Sequence, residues 1–265
     1  MIRVCLAGAT GWVGRELVAA IEAAEDLDLA SAVSRSEAGR TLRDALGASA
    51  PPVPIRGSVA EALEIPCDVL VDYTSALAVR TNVFAAIGKG VHTVVGASGL
   101  SEEDFVAIDK AARARGVGVL AVGNFTLTAV LLERFAEIAA KHVGSWEIID
   151  YGTSRKPDAP GGTARQLAAR LSRVRAPSVG HPIAETHGSV EARGATVGGT
   201  QVHSVRLPGF VSSIEILFGL PDERLSIRHD SGSGAAPYVR GTLLAVRRVG
   251  DRIGLRRGLE DLLEL

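Results

Sequence analysis

Lysine is scarce in this 265-residue chain. Of 29 basic residues only Lys89, Lys110, Lys141 and Lys156 are lysine, which leaves 25 arginines. A GC-rich genome writes arginine for lysine on solvated faces, so a lysine that persists invites a question. Cysteine is scarcer still: Cys5 and Cys67 both sit in apolar runs that read as buried strands. That count excludes a disulfide framework and argues against a zinc site, so no metal is expected. Excess charge of one sign is also missing. The net charge is -1 and the isoelectric point near 6.6, without the basic bias of a nucleic-acid-binding domain. Long apolar runs are absent too. The longest uncharged stretch, Gly116–Leu132, is broken by Gly118, Gly123, Asn124, Thr126 and Thr128. It reads as a strand, a loop and a helix start rather than a membrane span. The apolar stretch before Gly8 is too short for a signal peptide. The expectation is a cytoplasmic protein with no membrane and no nucleic-acid partner.

Apolar runs alternating with amphipathic helices fill residues 1 to about 124. Ile2–Ala7, Leu27–Val33, Asp68–Tyr73, Val91–Val95 and Val117–Val122 read as strands. Trp12–Ala24, Ser58–Leu63, Ala76–Lys89 and Ser101–Arg115 read as helices, the last opened by a capping box of Ser101 and Asp104. Gly47–Pro54 reads as a loop. Short apolar strands separated by helices indicate an α/β fold with a Rossmann-type doubly wound parallel sheet. The pattern then changes. Helices are expected at Leu127–Val143, Thr163–Arg175 and Pro237–Val249, and a strand at Trp146–Tyr151. Val202–Val205, Val211–Phe218 and Arg224–Asp230 read as antiparallel strands, and a leucine-rich segment closes the chain. The expected division is a dinucleotide-binding domain of residues 1–124 and 239–265, and a smaller α+β domain of residues 125–238.

Gly8-Ala9-Thr10-Gly11-Trp12-Val13-Gly14 follows the first strand and opens the first helix. Glycines permit a tight turn and close backbone approach, and amides at a helix N-terminus face a pyrophosphate. An NAD site usually places a carboxylate at the end of strand two, for the ribose hydroxyls. Here that place holds Ser34-Arg35-Ser36. A guanidinium with hydroxyls suits a 2′-phosphate, so NADPH is the expected cofactor, with NADH also usable. The glycine loop also suits semialdehyde dehydrogenases, but both cysteines lie inside strands rather than at a helix N-terminus. Short-chain reductases need Tyr-x-x-x-Lys, and Tyr151 is followed four residues on by Arg155.

The run Lys156-Pro157-Asp158-Ala159-Pro160-Gly161-Gly162-Thr163-Ala164 resembles the K-x-D-A-P-S-G-T-A motif of the 4-hydroxy-tetrahydrodipicolinate reductase (dihydrodipicolinate reductase) family of lysine biosynthesis. Val71-Asp72-Tyr73-Thr74, Val95–Gly99, Asn124-Phe125-Thr126, Ser204-Val205-Arg206, Glu223–His229 and Arg257–Leu265 also match family patterns. The resemblance implies a cofactor domain, a substrate domain that builds a homotetramer, and a final helix packed back on the first domain. It implies nicotinamide contacts at Gly96, Ser98, Asn124 and Phe125, with Tyr73 and Thr74 nearby, and pyrophosphate contacts at Trp12 and Val13. Gly161, Gly162 and Thr163 would bind a substrate carboxylate at a helix N-terminus, beside Arg155 and Lys156. The reaction implied is hydride transfer to a conjugated C=N of a small carboxylate.

The chain also departs from that family. Its motif runs E-x-H-H-x-x-K-x-D-A-P, and its histidines serve acid catalysis and substrate binding. Gly152 and Thr153 stand at those two positions, Gly161 replaces the motif serine, and Ser212-Ser213-Ile214 replaces a later Gly-x-His. Three accounts fit. One is the family reaction with Lys156, Tyr151, Asp150 or water as proton donor; another is an imine or enamine reductase acting on a different substrate. The third is a non-catalytic NADPH-binding relative. The remaining histidines, His181, His187, His203 and His229, read as structural or surface residues.

Overall fold

The computed structural model describes residues 1–263 and divides into two compact units. One comprises residues 1–127 with the segment from Ala235 onward, and the other is Thr128–Gly234. The last two residues of the leucine-rich terminus lie outside the described residues. Among the described residues no helix is long and apolar enough to cross a membrane.

The first unit runs β1 (Ile2–Ala7), α1 (Trp12–Glu22), β2 (Leu27–Val33), α2 (Leu42–Leu46), β3 (Ile55–Arg56), α3 (Val59–Ala62), β4 (Val69–Asp72), α4 (Val79–Lys89), β5 (His92–Val95), α5 (Glu102–Arg115) and β6 (Gly118–Ala121). The second contains α6 (Leu127–His142), β7 (Ser145–Gly152), α7 (Gly162–Val174), β8 (Ala195–Val197), β9 (Thr200–Arg206), β10 (Ser212–Leu220) and β11 (Glu223–Ser231). The chain then returns to the first unit with α8 (Ala236–Arg248) and β12 (Gly254–Arg257).

Seven parallel strands form the first sheet in the order β12-β6-β5-β4-β1-β2-β3. The strand order reverses between β1 and β4, the switch point at which doubly wound sheets bind ligands beyond the carboxyl ends of their strands. The central strands are largely apolar because helices cover both faces: Val4, Cys5, Leu6 and Ala7 of β1 are all fully buried. The capping box at Ser101 and Asp104 forms as expected. The last long helix, α8, lies in this unit, with Tyr238 edge-on to Trp12 at 5.6 Å and Arg247 paired with Asp26. Three short elements carry no readable period in the sequence. α2 has five residues and β3 two, and β12 is four residues reading Gly-Leu-Arg-Arg.

The second sheet has the order β11-β10-β7-β9-β8. One expectation is corrected here: β9 is not simply antiparallel. It pairs antiparallel with β8 but parallel with β7, because α7 carries the chain back between them as a crossover helix. Strand β7 alternates strictly. Trp146, Ile148, Asp150 and Gly152 are buried, with Ser145, Glu147, Ile149 and Tyr151 on the other face. Trp146 and Ile148 join Leu132, Ala136 and Ala140 of α6 and Leu167, Ala168 and Leu171 of α7 in one core.

Asp150 is the polar exception on that covered face. Its carboxylate accepts from Arg206 Nη2 at 2.6 Å, from the Gly161 amide at 2.6 Å and from Ser204 Oγ at 3.3 Å. Arg206 also donates to the carbonyls of Asp158 (2.6 Å), Asp150 (3.0 Å) and Val205 (3.0 Å). Only its buried Nε lacks a partner. Burial alone would raise the Asp150 pKa; the Arg206 bond, the Gly161 amide and the Lys156 charge outweigh it and hold the carboxyl below its ordinary value. Its contribution to stability is therefore present above the ordinary carboxylate pKa and lost as pH falls through the depressed one. Replacing Asp150 by Asn should cost about 3 kcal/mol, because Arg206 is left buried without its counter-charge. Urea denaturation at neutral pH checks this, and the deficit should shrink in acid; equal stability of the two proteins at pH 7 would contradict it.

Candidate active site

Five loops follow the carboxyl ends of neighbouring strands in the first unit: Gly8 after β1, Ser34 after β2, Tyr73 after β4, Gly96 after β5 and Asn124 after β6. Gly8 has φ +86°, and a Cβ there would lie 2.5 Å from the Tyr73 carbonyl oxygen. A Cβ on Gly14 would overlap the Gly8 carbonyl. These glycines let the loop turn tightly and α1 seat against it. Gly11 caps α1 without a side-chain bond, and the first turn holds no acidic residue. The amides at Trp12 and Val13 thus meet no carboxylate of their own helix, as a pyrophosphate site requires. Thr10 Oγ1 lies 2.7 Å from Ser34 Oγ, and Ser34 Oγ 3.3 Å from Ser36 Oγ. Arg35 is exposed beside them. This hydroxyl cluster with a guanidinium, and no carboxylate, fits a phosphorylated adenosine ribose.

At the other end of the loop series, Thr74 donates through its amide and hydroxyl to Asp72 at 2.8 and 2.6 Å. The Tyr73 hydroxyl donates to Thr242 at 2.7 Å, and burial pushes its pKa well up. The Tyr73 ring lies against Gly96, where a Cβ would stand 2.5 Å from the ring, and 5.6 Å from Phe125. The Phe125 side chain is 1% exposed. It therefore serves as core, and contact with a ligand falls to the backbone of that turn. Asn124 Oδ1 accepts from the Thr126 amide at 2.9 Å, while Ser98 is exposed. These residues fit a nicotinamide dinucleotide: cradling glycines, an uncapped helix end, and a polar turn at the far end.

The second unit holds the lysine-motif loop. Pro160 follows Ala159 through a cis peptide bond, and Gly161 caps α7 with no side-chain bond and no acid in the first turn. Thr163 is half-buried in that first turn, and Gly162 is exposed. Lys156 Nζ lies 3.9 Å from Asp150 Oδ1 and 4.0 Å from Asp158 Oδ1. The altered motif positions make room for it. A Cβ on Gly152 would stand 2.9 Å from Lys156 Cδ, and one on Gly161 would overlap Lys156 Nζ. Where the family motif has histidine and serine, this chain has the lysine stem and ammonium. Arg155 is exposed and points to no described partner.

Two of the expected proton donors are corrected by this geometry. Asp150 is held ionised by three donors and a lysine, so it accepts hydrogen bonds and has no proton to give. Tyr151 stands on the opposite face of β7. There its hydroxyl donates to Glu215 at 2.9 Å, and its ring lies 4.9 Å from Phe210 and 4.6 Å from the Arg228 guanidinium. Burial and the Glu215 carboxylate raise its pKa. The two-residue period of a strand separates it from Lys156 and Thr163. Arg206 stands in a family-matching stretch of the sequence, but its role was missed there, because it depends on β9 pairing with β7.

The dihydrodipicolinate reductase N-terminal family model matches residues 2–125, and the C-terminal model matches residues 128–263. A 4-hydroxy-tetrahydrodipicolinate reductase of Desulfitobacterium hafniense is 39% identical over 99% of both chains. One of Halalkalibacterium halodurans is 38% identical over 100% of both. A dipicolinate-bound dihydrodipicolinate reductase from Paenisporosarcina sp. TG-14 superposes with a TM-score of 0.89 at 30% identity, covering 99% of this chain and 100% of that one. An amine dehydrogenase of Mycobacterium smegmatis, at 15% identity and a TM-score of 0.61, shares the fold alone. With both halves of the chain matched and the glycine loop and lysine-motif loop placed as described, this chain belongs to the dihydrodipicolinate reductase family.

Proposed function

We propose that the chain catalyses the 4-hydroxy-tetrahydrodipicolinate reductase reaction, with NADPH as preferred reductant. The bound dinucleotide supplies hydride from the nicotinamide ring. The observation that carries the reading is the uncapped start of α7 beside Lys156, locked to β7 and β9 by Asp150 and Arg206. Gly162 and Thr163 present free amides and a hydroxyl to a carboxylate, and the helix dipole adds to their pull. Lys156 sets its ammonium against substrate charge and stabilises the negative charge that hydride addition puts on a conjugated C=N. Asp150 and Arg206 position that ammonium rather than react. In the other unit Gly8, Gly11 and Gly14 admit the pyrophosphate, Ser34 and Arg35 select the 2′-phosphate, and Gly96 with Asn124 receives the nicotinamide end.

A second reading is a reductase of the same family with a different cyclic imine as substrate. The observation favouring it is that Gly152, Thr153, Gly161 and Ile214 replace groups that read the substrate in the family motif.

Oxidation of NADPH, followed with 4-hydroxy-tetrahydrodipicolinate generated in situ beside a panel of other cyclic imines, separates the two. We expect turnover of the first, with Lys156→Ala lowering kcat/KM roughly 10- to 100-fold through loss of a charged hydrogen bond. Turnover confined to other imines would transfer the assignment to the second reading. For the cofactor, Arg35→Ala should raise KM for NADPH about tenfold and leave that for NADH unchanged. A wild-type protein that prefers NADH would contradict the 2′-phosphate site.

A further inference from the structure

Hydride addition leaves a negative charge that must be quenched by a proton, and the motif histidines that would give it are absent. The register of the second sheet points to a replacement. Asp150 of β7 lies opposite Ile214 of β10, and Ile214 lies opposite His229 of β11. Residues directly opposite one another share a face. Ser204, Asp150, Ile214 and His229 thus form one row across four strands, on the face covered by α6 and α7. Two strand spacings put His229 about 10 Å from Asp150. A six-membered ring carrying carboxylates is long enough to reach across that span at the carboxyl end of β7, beyond Ile214, which is itself buried in the core.

The helices confirm the placement. Helix α6 leads down to β7, β7 returns upward, and α7 leads down again, so both helices start at the carboxyl end of β7. His229 Nδ1 lies 3.0 Å from the hydroxyl of Thr128 in the first turn of α6. That bond fixes the ring and leaves Nε2 without a described partner. The other imidazoles of the unit are elsewhere. His203 pairs with Glu147 at 2.7 Å on the Tyr151 face. His181 bonds the Glu185 carbonyl in an exposed loop, His187 is exposed, and His142 ends α6 at the far end of the sheet.

We propose that His229 is the proton donor of this reductase. The proposal rests on the reductase reading above. Hydride from the dinucleotide forms a new C–H bond at one end of the conjugated system, and the displaced π pair moves to the other end. That end takes the proton as the Nε2–H bond breaks, and the imidazole recovers a proton from water. The donor must be protonated, so the rate holds below its pKa and falls as pH rises through it. Burial lowers the His229 pKa and the neighbouring Asp230 raises it. Ile214 is uncharged and α6 presents Thr128. Lys156 and Asp150 stand further along the row, and a bound carboxylate raises the pKa.

The test is His229→Asn in the full chain, with the assay above run across pH. We expect kcat to fall about 10²- to 10⁴-fold and the alkaline limb of the wild-type profile to disappear. NADPH affinity and Tm should stay at wild-type values, which separates lost chemistry from lost folding. Thr128→Val, which keeps the imidazole but frees it, should lower kcat less and retain the limb. Independently of turnover, the NMR titration of the His229 ring in wild type should move to higher pH when dipicolinate is added. An active wild type matched by an equally active His229→Asn overturns the proposal and leaves the reductase reading standing. A wild type inactive on every imine overturns both.

Discussion

The second unit is organised around one buried carboxylate. Asp150 sits on the covered face of β7, where its neighbours are the apolar side chains that pack against α6 and α7. Isolated there it would be too costly to keep ionised. Arg206 makes it tenable, and the same guanidinium reaches the Asp158 carbonyl, so neutralising the charge also fastens the lysine-motif loop. The Gly161 amide spends its hydrogen bond on Asp150 as well, which fixes where α7 begins. The amides of Gly162 and Thr163 are then left at the open end of the helix. The anion site of this unit is a consequence of how a strand's buried acid is satisfied.

The two glycines beside Lys156 belong to the same arrangement. Side chains at Gly152 and Gly161 would occupy the path of the lysine stem and ammonium. Losing the motif histidine and serine therefore opens the space through which Lys156 reaches the Asp150 carboxylate. The shorter acid at this place, aspartate where the family motif has glutamate, goes with that change. The scarcity of lysine in the composition acquires a physical meaning here. Lys89, with a solvated partner in Glu64, is replaceable by arginine. Lys156, threaded over two glycines, needs a slim stem and a compact charge.

The parallel sheet was legible in the sequence because its strands are buried on both faces and read as unbroken apolar runs. The glycine loop was legible because its spacing records the turn and the helix seat together. Elements too short to show a period were not: α2, β3 and β12 owe their form to neighbours. In the site, Lys156, Gly162 and Thr163 could be found from a contiguous motif. Arg206 and His229 lie in stretches that match family patterns, but their roles could not be read, because they reach the site only through strand pairing across more than fifty positions of sequence. Tyr151 shows the opposite error. Next to Asp150 in sequence, it is assigned to the other face by the pleat.

The account stands on a carboxylate being received at the start of α7 and the substrate ring reaching from there towards His229. A crystal structure with dinucleotide and dipicolinate bound tests this most directly. One carboxylate should lie within hydrogen-bond distance of the Gly162 and Thr163 amides and Lys156 Nζ, with the ring at the carboxyl end of β7 and His229 Nε2 facing it. Dipicolinate seated instead on the Tyr151–Arg228 face, or bound without contact to Thr163 and Lys156, would contradict it.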